Sequence, residues 1–240
     1  IVHTFETKES TIKKNIDNSA NKIIYLENNI EKQQKQIENE NFDIIFYPEI
    51  GMSPRIYFLA FSRLAPVQIV SWGHPETTGI NTIDYFLSSA LFEKKNPTKR
   101  YSEGLICLKE FPLYYEPPEN IASLKNRSDL NLPENVHLYG CPQSLFKLHP
   151  DFDVILAKIL KRDPGSYIVF IGGKNKHRFW TESLKKRWSK NFPILKEKVL
   201  FTRRLSLVEF ISLCNCVDVL LDPIYFGGGN TFLESMIVGT

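Results

Sequence analysis

Leu221-Asp-Pro-Ile-Tyr-Phe-Gly-Gly-Gly-Asn-Thr231 is the most informative stretch of this 240-residue sequence. It predicts a strand that ends near Leu221, a tight turn through three glycines, and a helix with Asn230 and Thr231 in its cap positions. The start of a helix exposes unpaired N–H groups and partial positive charge, which favours a bound phosphate. Glu234, one turn further on, is placed to accept hydrogen bonds from a sugar. A plain helix cap after a loose loop is the alternative.

This glycine-rich turn matches neither of two common nucleotide-binding patterns. No Gly-Lys-Ser/Thr follows the glycines, so a triphosphate-binding loop is not predicted. The turn also comes after the last predicted strand, whereas a dinucleotide fingerprint follows the first. A Rossmann-type oxidoreductase is therefore disfavoured.

Strand-like and helix-like segments alternate along the rest of the chain. Continuous apolar strands separated by helices indicate parallel sheets covered on both faces. The predicted strands are 43–47, 67–72, 85–88, 105–108, 136–141, 167–171, 199–202 and 217–221, and the predicted helices are 28–41, one from Ser53-Pro54, 152–161, 179–189, 207–213 and one from 230. The sequence therefore predicts an α/β protein in two halves, 1–118 and 135–240, joined by a proline-rich linker at 119–134.

Composition excludes several classes of protein. Hydrophobic residues make up 42% of the chain and the net charge is +3, so disorder and a basic nucleic-acid footprint are not expected. No apolar run approaches the roughly 20 residues of a membrane-spanning helix. Four cysteines without zinc spacing predict buried thiols in a reducing cytoplasm. The apolar ends, Ile1-Val2 and 237–240, indicate a piece of a longer protein.

Cys141-Pro-Gln-Ser-Leu-Phe-Lys147 follows the strand that opens the second half. Its polar residues are expected at the carboxyl end of that strand, where open α/β sheets bind their ligands. Lys147 is a candidate for neutralising a diphosphate, with Gln143 and Ser144 beside it. The alternative is a solvated surface lysine.

Trp72-Gly-His-Pro-Glu-Thr-Thr-Gly79 is a loop after the second clear strand. Gly73 and Pro75 fix its backbone, Thr77 offers a hydroxyl, and His74 is a candidate for donating a hydrogen bond or moving a proton. A structural turn is the alternative. The remaining histidines have no partner at metal-ligand spacing, so no metal site is predicted. The tryptophans of the basic run 174–190 are expected to mark the packed side of a helix.

Together these motifs resemble the O-linked N-acetylglucosamine transferase/SPINDLY family, glycosyltransferase family 41. The resemblance extends from about residue 43 to the end and is nearest to the bacterial branch, which includes protein N-glucosyltransferases and proteins with N-terminal tetratricopeptide repeats. The segments that carry it are Ala65-Pro-Val-Gln68, Gly73-His-Pro-Glu-Thr-Thr-Gly79, Asp84-Tyr85, Tyr101-Ser-Glu103, Gln143-Ser-Leu-Phe-Lys147, Asp218-Val-Leu-Leu-Asp222 and Gly227-Gly-Gly-Asn-Thr231.

The resemblance implies a GT-B architecture, in which the parallel sheets of two Rossmann-like domains face a cleft for a UDP-sugar, here truncated at both ends. It also implies an inverting glycosyltransferase that needs neither a metal nor a cofactor. Lys147 matches the family's lysine that holds the diphosphate, and Asn230 and Thr231 match its pair at the start of a helix. Glu234 matches the family's acidic position near the ribose, and the loop with Gly73, His74, Pro75 and Thr77 matches the segment that faces sugar and acceptor. Further substrate contacts are expected from Gln143, Ser144 and Gly229.

Two functions from different classes remain open. One is transfer of N-acetylglucosamine or glucose from a UDP-sugar to an acceptor protein or peptide, with Lys147 and His74 as catalytic residues. The other is a sugar-nucleotide-binding or partner-binding module without catalysis. The isolated chain is expected to be inactive, because the family's first strand and its histidine loop should precede Ile1.

Overall fold

A computed structural model describes residues 2–3, 10–113, 115, 117, 123–172 and 176–240. The chain divides into two compact units, Ile1–Tyr114 and Tyr115–Thr240. Each unit contains a four-stranded parallel sheet, which confirms the predicted α/β class with two parallel sheets. The eight predicted strands are all present, and each end lies within two residues of its predicted position.

The first unit is built around a sheet of order β3-β4-β5-β6, and its strands β1 and β2 form a separate parallel pair. Its elements are β1 (Val2–His3), α1 (Thr11–Ser19), β2 (Ile24–Tyr25), α2 (Ile30–Glu38), β3 (Ile44–Tyr47), α3 (Pro54–Leu59), β4 (Val67–Val70), β5 (Tyr85–Ser89), a 3₁₀ helix (Pro97–Arg100) and β6 (Gly104–Leu108). Phe86 of β5 is fully buried and packs with Val70 and Ile83 in the core. The same core includes Tyr47 and Val70, the last residues of β3 and β4.

The second unit has the strand order β10-β7-β8-β9. Its elements are β7 (Leu138–Cys141), a 3₁₀ helix (Leu145–Lys147), α4 (Pro150–Arg162), β8 (Tyr167–Ile171), α5 (Lys176–Asn191), α6 (Pro193–Lys198), β9 (Val199–Thr202), α7 (Leu207–Cys216), β10 (Val219–Leu220) and α8 (Asn230–Met236). The chain runs outward from β7 through β8 to β9 and then returns to the other side of β7 as β10. The order of strands therefore reverses between β7 and β10.

The main core of the second unit lies between α4, α5 and the sheet. Trp188 of α5 is fully buried, and its ring stacks 6.2 Å from Phe170 of β8 and 6.1 Å from Phe201 of β9. Leu145 and Leu148 belong to the same cluster. The prediction that tryptophan marks the packed side of this helix is confirmed for Trp188, whereas 38% of Trp180 is exposed.

Residues 123–134 pack as part of the second unit, although the sequence suggested a linker at 119–134. Leu130 and Leu132 are buried in a cluster with Leu138 and Leu213. Arg127 donates hydrogen bonds to the carbonyl oxygens of Val136 and Cys216 at 2.7 and 2.9 Å. The sequence showed prolines and polar residues here, but the two leucines bury enough apolar surface to hold the segment against β7 and α7.

Candidate functional site

The reversal of strand order in the second unit brings two loops together at one edge of the sheet. In open α/β sheets, the loops leaving the carboxyl ends of the two strands at such a point diverge and leave a crevice for a ligand. Here these loops are 142–149, which follows β7, and 221–229, which follows β10. The first carries Lys147, and the second is the glycine-rich turn that leads into α8. Both phosphate-site candidates of the second half therefore lie at the switch point.

Lys147 is half-buried between the two loops. Its Nζ donates hydrogen bonds to Gln143 Oε1 at 2.9 Å and to the carbonyl oxygen of Gly227 at 3.0 Å. The ammonium also lies 4.9 Å from the centre of the Phe226 ring. Burial lowers the pKa of Lys147, and the nearby Asp222 offsets this only in part. The Lys147 ammonium is thus partly desolvated and held in place by two hydrogen bonds, unlike a solvated surface lysine.

Gln143 joins Lys147 to the start of α8. Its side chain is buried, its Oε1 accepts from Lys147, and its Nε2 donates to Thr231 Oγ1 at 2.9 Å. The backbone of Gly228 lies against this bridge, because a Cβ on Gly228 would be 2.5 Å from Gln143 Nε2 and 3.0 Å from Thr231 Oγ1. A side chain on residue 228 would therefore displace the Gln143 amide. Gln143, Lys147 and Thr231 are three of the predicted site residues, and the structure brings them together.

Asp222, which follows the end of β10, holds the glycine-rich loop. The Gly228 N–H donates to Asp222 Oδ1 at 2.9 Å, and Gly227 packs against the same carboxylate. Asn230 is the first residue of α8, and Gly229 precedes it as an N-cap with no side-chain hydrogen bond. The predicted capping role of Asn230 and Thr231 is therefore wrong, because both residues lie inside the helix and Thr231 Oγ1 accepts from Gln143. Ser144 is exposed at the start of the 3₁₀ helix.

Glu234 lies one turn into α8 and is half-buried. Burial raises the pKa of its carboxyl. Burial and the charge of Glu234 together raise the pKa of Cys214 to about 12, and they also raise the pKa of Tyr115. The Glu234 carboxylate thus lies close enough to Cys214 of α7 and to Tyr115 to affect both groups electrostatically.

Replacing Gly228 with alanine should test the bridge directly. The added Cβ forces the Gln143 amide aside and costs its hydrogen bonds to Lys147 and Thr231. We expect the dissociation constant of a diphosphate ligand such as UDP to rise about tenfold, since about 1.4 kcal/mol is within the range of one or two hydrogen bonds. Isothermal titration calorimetry measures this change.

The matched control for this variant is Gly165→Ala. A Cβ on Gly165, in the turn between α4 and β8, has no atom within 4 Å. We expect the ligand affinity of this control to stay within twofold of the wild-type value. Equal losses in the two variants would mean that added bulk at Gly228 acts through general destabilisation, and the role given to the Gln143 bridge would be wrong.

The loop 72–79 of the first unit follows β4. A Cβ on Gly73 would lie 2.6 Å from the carbonyl oxygen of Pro48, so this glycine is required by close approach to the turn after β3. His74 is half-buried, and its Cβ packs against Gly51, which has φ of +89°. Pro75 is exposed. The backbone of the loop is thus fixed from below, as its glycine and proline residues predicted.

Glu103 fastens the other end of this loop. Its carboxylate accepts hydrogen bonds from Thr77 Oγ1 at 2.7 Å and from the Thr78 N–H at 2.8 Å. The Thr78 hydroxyl also donates to it, and Thr77 Oγ1 accepts from the Ser102 N–H at 2.9 Å. These hydrogen bonds hold the pKa of the buried Glu103 below its usual value, although burial acts in the opposite direction. Thr77, a predicted substrate contact, has its hydroxyl engaged within the protein.

Several residues at these sites were not predicted from the sequence. Asp222 and Phe226 hold the glycine-rich loop and Lys147, and Glu103 holds loop 72–79. Asp222 follows a predicted strand directly, which is a signal that places a side chain at the carboxyl edge of a parallel sheet. Phe226 and Glu103 carry no such signal, because their contacts depend on how loops distant in the chain fold back.

Other features of the described part of the chain bear on metals and membranes. Within it, no group of three or more His, Cys, Asp or Glu side chains is arranged to hold a metal ion. The search for a long apolar helix capable of crossing a bilayer, made over the same residues, found none. The four cysteines are free thiols; Cys141 and Cys214 are buried, as predicted, whereas Cys107 is exposed.

Comparison with known proteins identifies relatives of one kind. The chain is 30% identical over 185 residues to a probable UDP-N-acetylglucosamine–peptide N-acetylglucosaminyltransferase SPINDLY of Oryza sativa subsp. japonica, covering 74% of this chain and 19% of that protein. It is 26% identical over 207 residues to a UDP-glucose:protein N-beta-glucosyltransferase of Actinobacillus pleuropneumoniae, covering 84% of this chain and 32% of that protein. The chain thus spans about a fifth to a third of the length of these relatives. No family model matches it.

The fold has a solved counterpart. A mutant of the Thermobaculum terrenum O-GlcNAc transferase superposes with a TM-score of 0.80 at 18% identity, covering 97% of this chain and 44% of that one. The fold is therefore that of a GT-B glycosyltransferase, as predicted. The resemblance of the motifs to the O-linked N-acetylglucosamine transferase/SPINDLY family is confirmed, because the sequence relatives are transferases of the SPINDLY and SEC type and a bacterial protein N-glucosyltransferase.

Proposed function

We propose that this chain is the donor-binding part of a protein glycosyltransferase that moves N-acetylglucosamine or glucose from a UDP-sugar to a protein side chain. The observation that carries this proposal is the half-buried ammonium of Lys147 at the switch point of the second sheet, directed by Gln143 and Gly227. Both kinds of relative are named for UDP-sugar donors and protein acceptors. The proposal keeps the cytoplasmic setting predicted from the cysteines.

The charge balance around Lys147 favours an anionic ligand. Burial lowers the pKa of Lys147 because it removes water that stabilises the charged form, and Asp222 supplies only part of the negative charge that would offset this. A diphosphate between the two loops would supply that charge and replace lost water by charge-assisted hydrogen bonds. The same contacts strengthen as the bond to the sugar breaks and negative charge grows on UDP, which lowers the barrier.

The proposed reaction is a single displacement without a metal ion. An acceptor side chain attacks the anomeric carbon and releases its proton to solvent, UDP leaves with the electron pair of the broken bond, and the anomeric configuration inverts. In this scheme Lys147 provides the positive charge that stabilises the leaving group. Asn230, Thr231 and Gly229 border the diphosphate, Gln143 and Ser144 lie beside it, and Glu234 is assigned to the ribose.

The first unit is assigned to the sugar and acceptor in this proposal. Its loop 72–79 is fixed by Gly73 against the turn after β3 and by Glu103 at its far end. A rigid loop positions a side chain better than a loose one. We assign His74 to hydrogen bonding with sugar or acceptor, and Pro75 and Thr77 to shaping the loop.

Titration of the chain with UDP tests the proposal. We expect a dissociation constant in the micromolar range, about −8 kcal/mol, unchanged by magnesium or EDTA. UMP is expected to bind at least tenfold more weakly, because it lacks the second phosphate that Lys147 contacts. Absence of UDP binding by the folded chain, or equal binding of UMP, would contradict the proposal.

A binding module without catalysis is the second candidate. UDP binding without transfer to acceptor peptides, by the longest protein that contains this chain, would support the module over the enzyme.

A further inference from the structure

Tyr225 ties the tip of the glycine-rich loop to the start of α4. Its hydroxyl donates a hydrogen bond to Asp151 Oδ2 at 2.7 Å. Its ring meets the His149 ring edge-on, with 4.8 Å between ring centres and 81° between ring planes. The loop and the helix are more than 70 residues apart in sequence. This contact therefore joins loop 221–229 to the N-terminus of α4.

The anchor at α4 is rigid. His149 is the N-cap of this helix, and its Nδ1 accepts from the Asp151 N–H at 3.2 Å. Pro150 occupies the first helical position, where its fixed φ suits a helix start. Phe152 and Leu156 of the same helix are buried in the main core of the unit. Asp151 thus presents its carboxylate from a fixed point.

The two residues after Tyr225 both contact Lys147. The Phe226 ring centre lies 4.9 Å from Lys147 Nζ, and the Gly227 carbonyl oxygen accepts from it at 3.0 Å. Tyr225 itself is 66% exposed, so its side chain contributes little to the core of the unit. Its hydrogen bond instead fixes the place where the backbone turns toward Lys147.

We propose that Tyr225 is a positioning residue for the donor site: by holding the loop tip on Asp151 it keeps Phe226 and the Gly227 carbonyl in contact with Lys147. The inference rests on the proposed binding of UDP at Lys147. It goes beyond that proposal because it assigns a role to Tyr225, His149 and Asp151, none of which was predicted from the sequence as a site residue. A loop freed from Asp151 samples other positions, and UDP binding must then order it at an entropic cost.

The test uses the whole chain and two readouts. The first is hydrogen exchange of the Gly228 amide, which donates to Asp222 Oδ1 and reports on loop order without any ligand. The second is the UDP dissociation constant measured by calorimetry. The variants are Tyr225→Phe, Asp151→Ala, their double variant and Asp151→Asn, whose amide oxygen still accepts from the tyrosine hydroxyl. Tyr167→Phe, in the same unit, is the matched control.

We expect Tyr225→Phe and Asp151→Ala to speed Gly228 exchange several-fold and to weaken UDP binding about three- to tenfold, as loss of one hydrogen bond to a charged group predicts. The double variant should be no worse than either single one. Asp151→Asn and Tyr167→Phe should stay within twofold of wild type, with unchanged thermal midpoints in all variants.

The two readouts separate the possible failures. Unchanged Gly228 exchange in Tyr225→Phe would overturn the tether, and faster exchange with unchanged UDP affinity would overturn the positioning role. Additive losses in the double variant would also overturn it, because the two side chains would then act independently. If the wild-type protein does not bind UDP, the proposed function and the positioning role are both overturned. Faster Gly228 exchange in Tyr225→Phe would in that case still establish the contact between Tyr225 and Asp151 as a tether of the loop.

Discussion

Replacing Lys147 with alanine is expected to weaken UDP binding by about ten- to hundredfold. The ammonium is half-buried and directed by Gln143 and Gly227, so the diphosphate would lose a charge-assisted contact that is already oriented before binding. Hydrogen bonds to charged groups contribute about 1.5–3 kcal/mol, which corresponds to this range. Calorimetric titration with UDP measures the loss in binding. Under the proposed function, any transfer activity should fall further than binding does, because the same contact would stabilise the departing UDP.

Two further variants show whether geometry matters as well as charge. Lys147→Arg keeps the positive charge, but its planar group cannot occupy the same position between Gln143 and Gly227, so binding should recover only in part. Lys196→Ala removes an exposed lysine from α6 of the same unit and should leave UDP affinity within twofold. If Lys196→Ala weakened binding as much as Lys147→Ala, the effect would reflect net charge, and the assignment of Lys147 would be wrong.

The parallel sheets and the main site could be predicted because both follow from short-range pattern. Apolar strands of four or five residues separated by helices determine parallel pairing, and parallel pairing places all strand ends at one edge. Lys147 and Thr231 follow two such ends, so the sequence predicts both at the same edge of a sheet without any knowledge of side-chain packing. The sequence alone could not show that β10 pairs with β7, which is what makes the two loops neighbours.

The contacts that hold each loop could not be predicted in the same way. Thr77 and Glu103 meet because β4, β5 and β6 are adjacent, and Tyr225 meets Asp151 across more than 70 residues. Such pairs depend on side-chain directions that strand and helix periodicity does not determine. The start of α8 shows the same limit, since Thr231 has a typical capping side chain but uses its hydroxyl to accept from Gln143.

Very short and very polar elements were missed for a different reason. Strands β1 and β2 have two residues each, too few for an alternating pattern to be recognised. Helix α1, Thr11–Ser19, has no buried residue, and its two apolar residues, Ile12 and Ile16, form too short a stripe to predict a core-facing helix. Hydrogen bonds at its N-terminus, where Ser10 Oγ accepts from the Lys13 N–H at 3.1 Å, define this helix better than apolar packing does.

Replacing Trp188 with alanine is expected to lower the free energy of unfolding of the second unit by about 3–5 kcal/mol, the usual cost of removing a fully buried large aromatic side chain. The indole stacks on Phe170 and Phe201, and its cluster includes Leu145 and Leu148 on either side of Lys147. The cavity should therefore also loosen the segment that directs Lys147. Urea unfolding followed by circular dichroism measures the stability change.

Trp188→Phe keeps an aromatic ring in the core but removes the polar indole nitrogen. Among the described residues, the indole Nε1–H of Trp188 is the buried side-chain polar group without a hydrogen-bond partner. Leaving such a group unsatisfied costs about 1–3 kcal/mol, so phenylalanine removes a penalty while creating a smaller cavity than alanine. We expect Trp188→Phe to lose less than half of what Trp188→Ala loses. Trp180→Ala, on the exposed side of the same helix, should cost about 1 kcal/mol or less, and equal losses at Trp180 and Trp188 would show that the stacked core does not stabilise the unit as described.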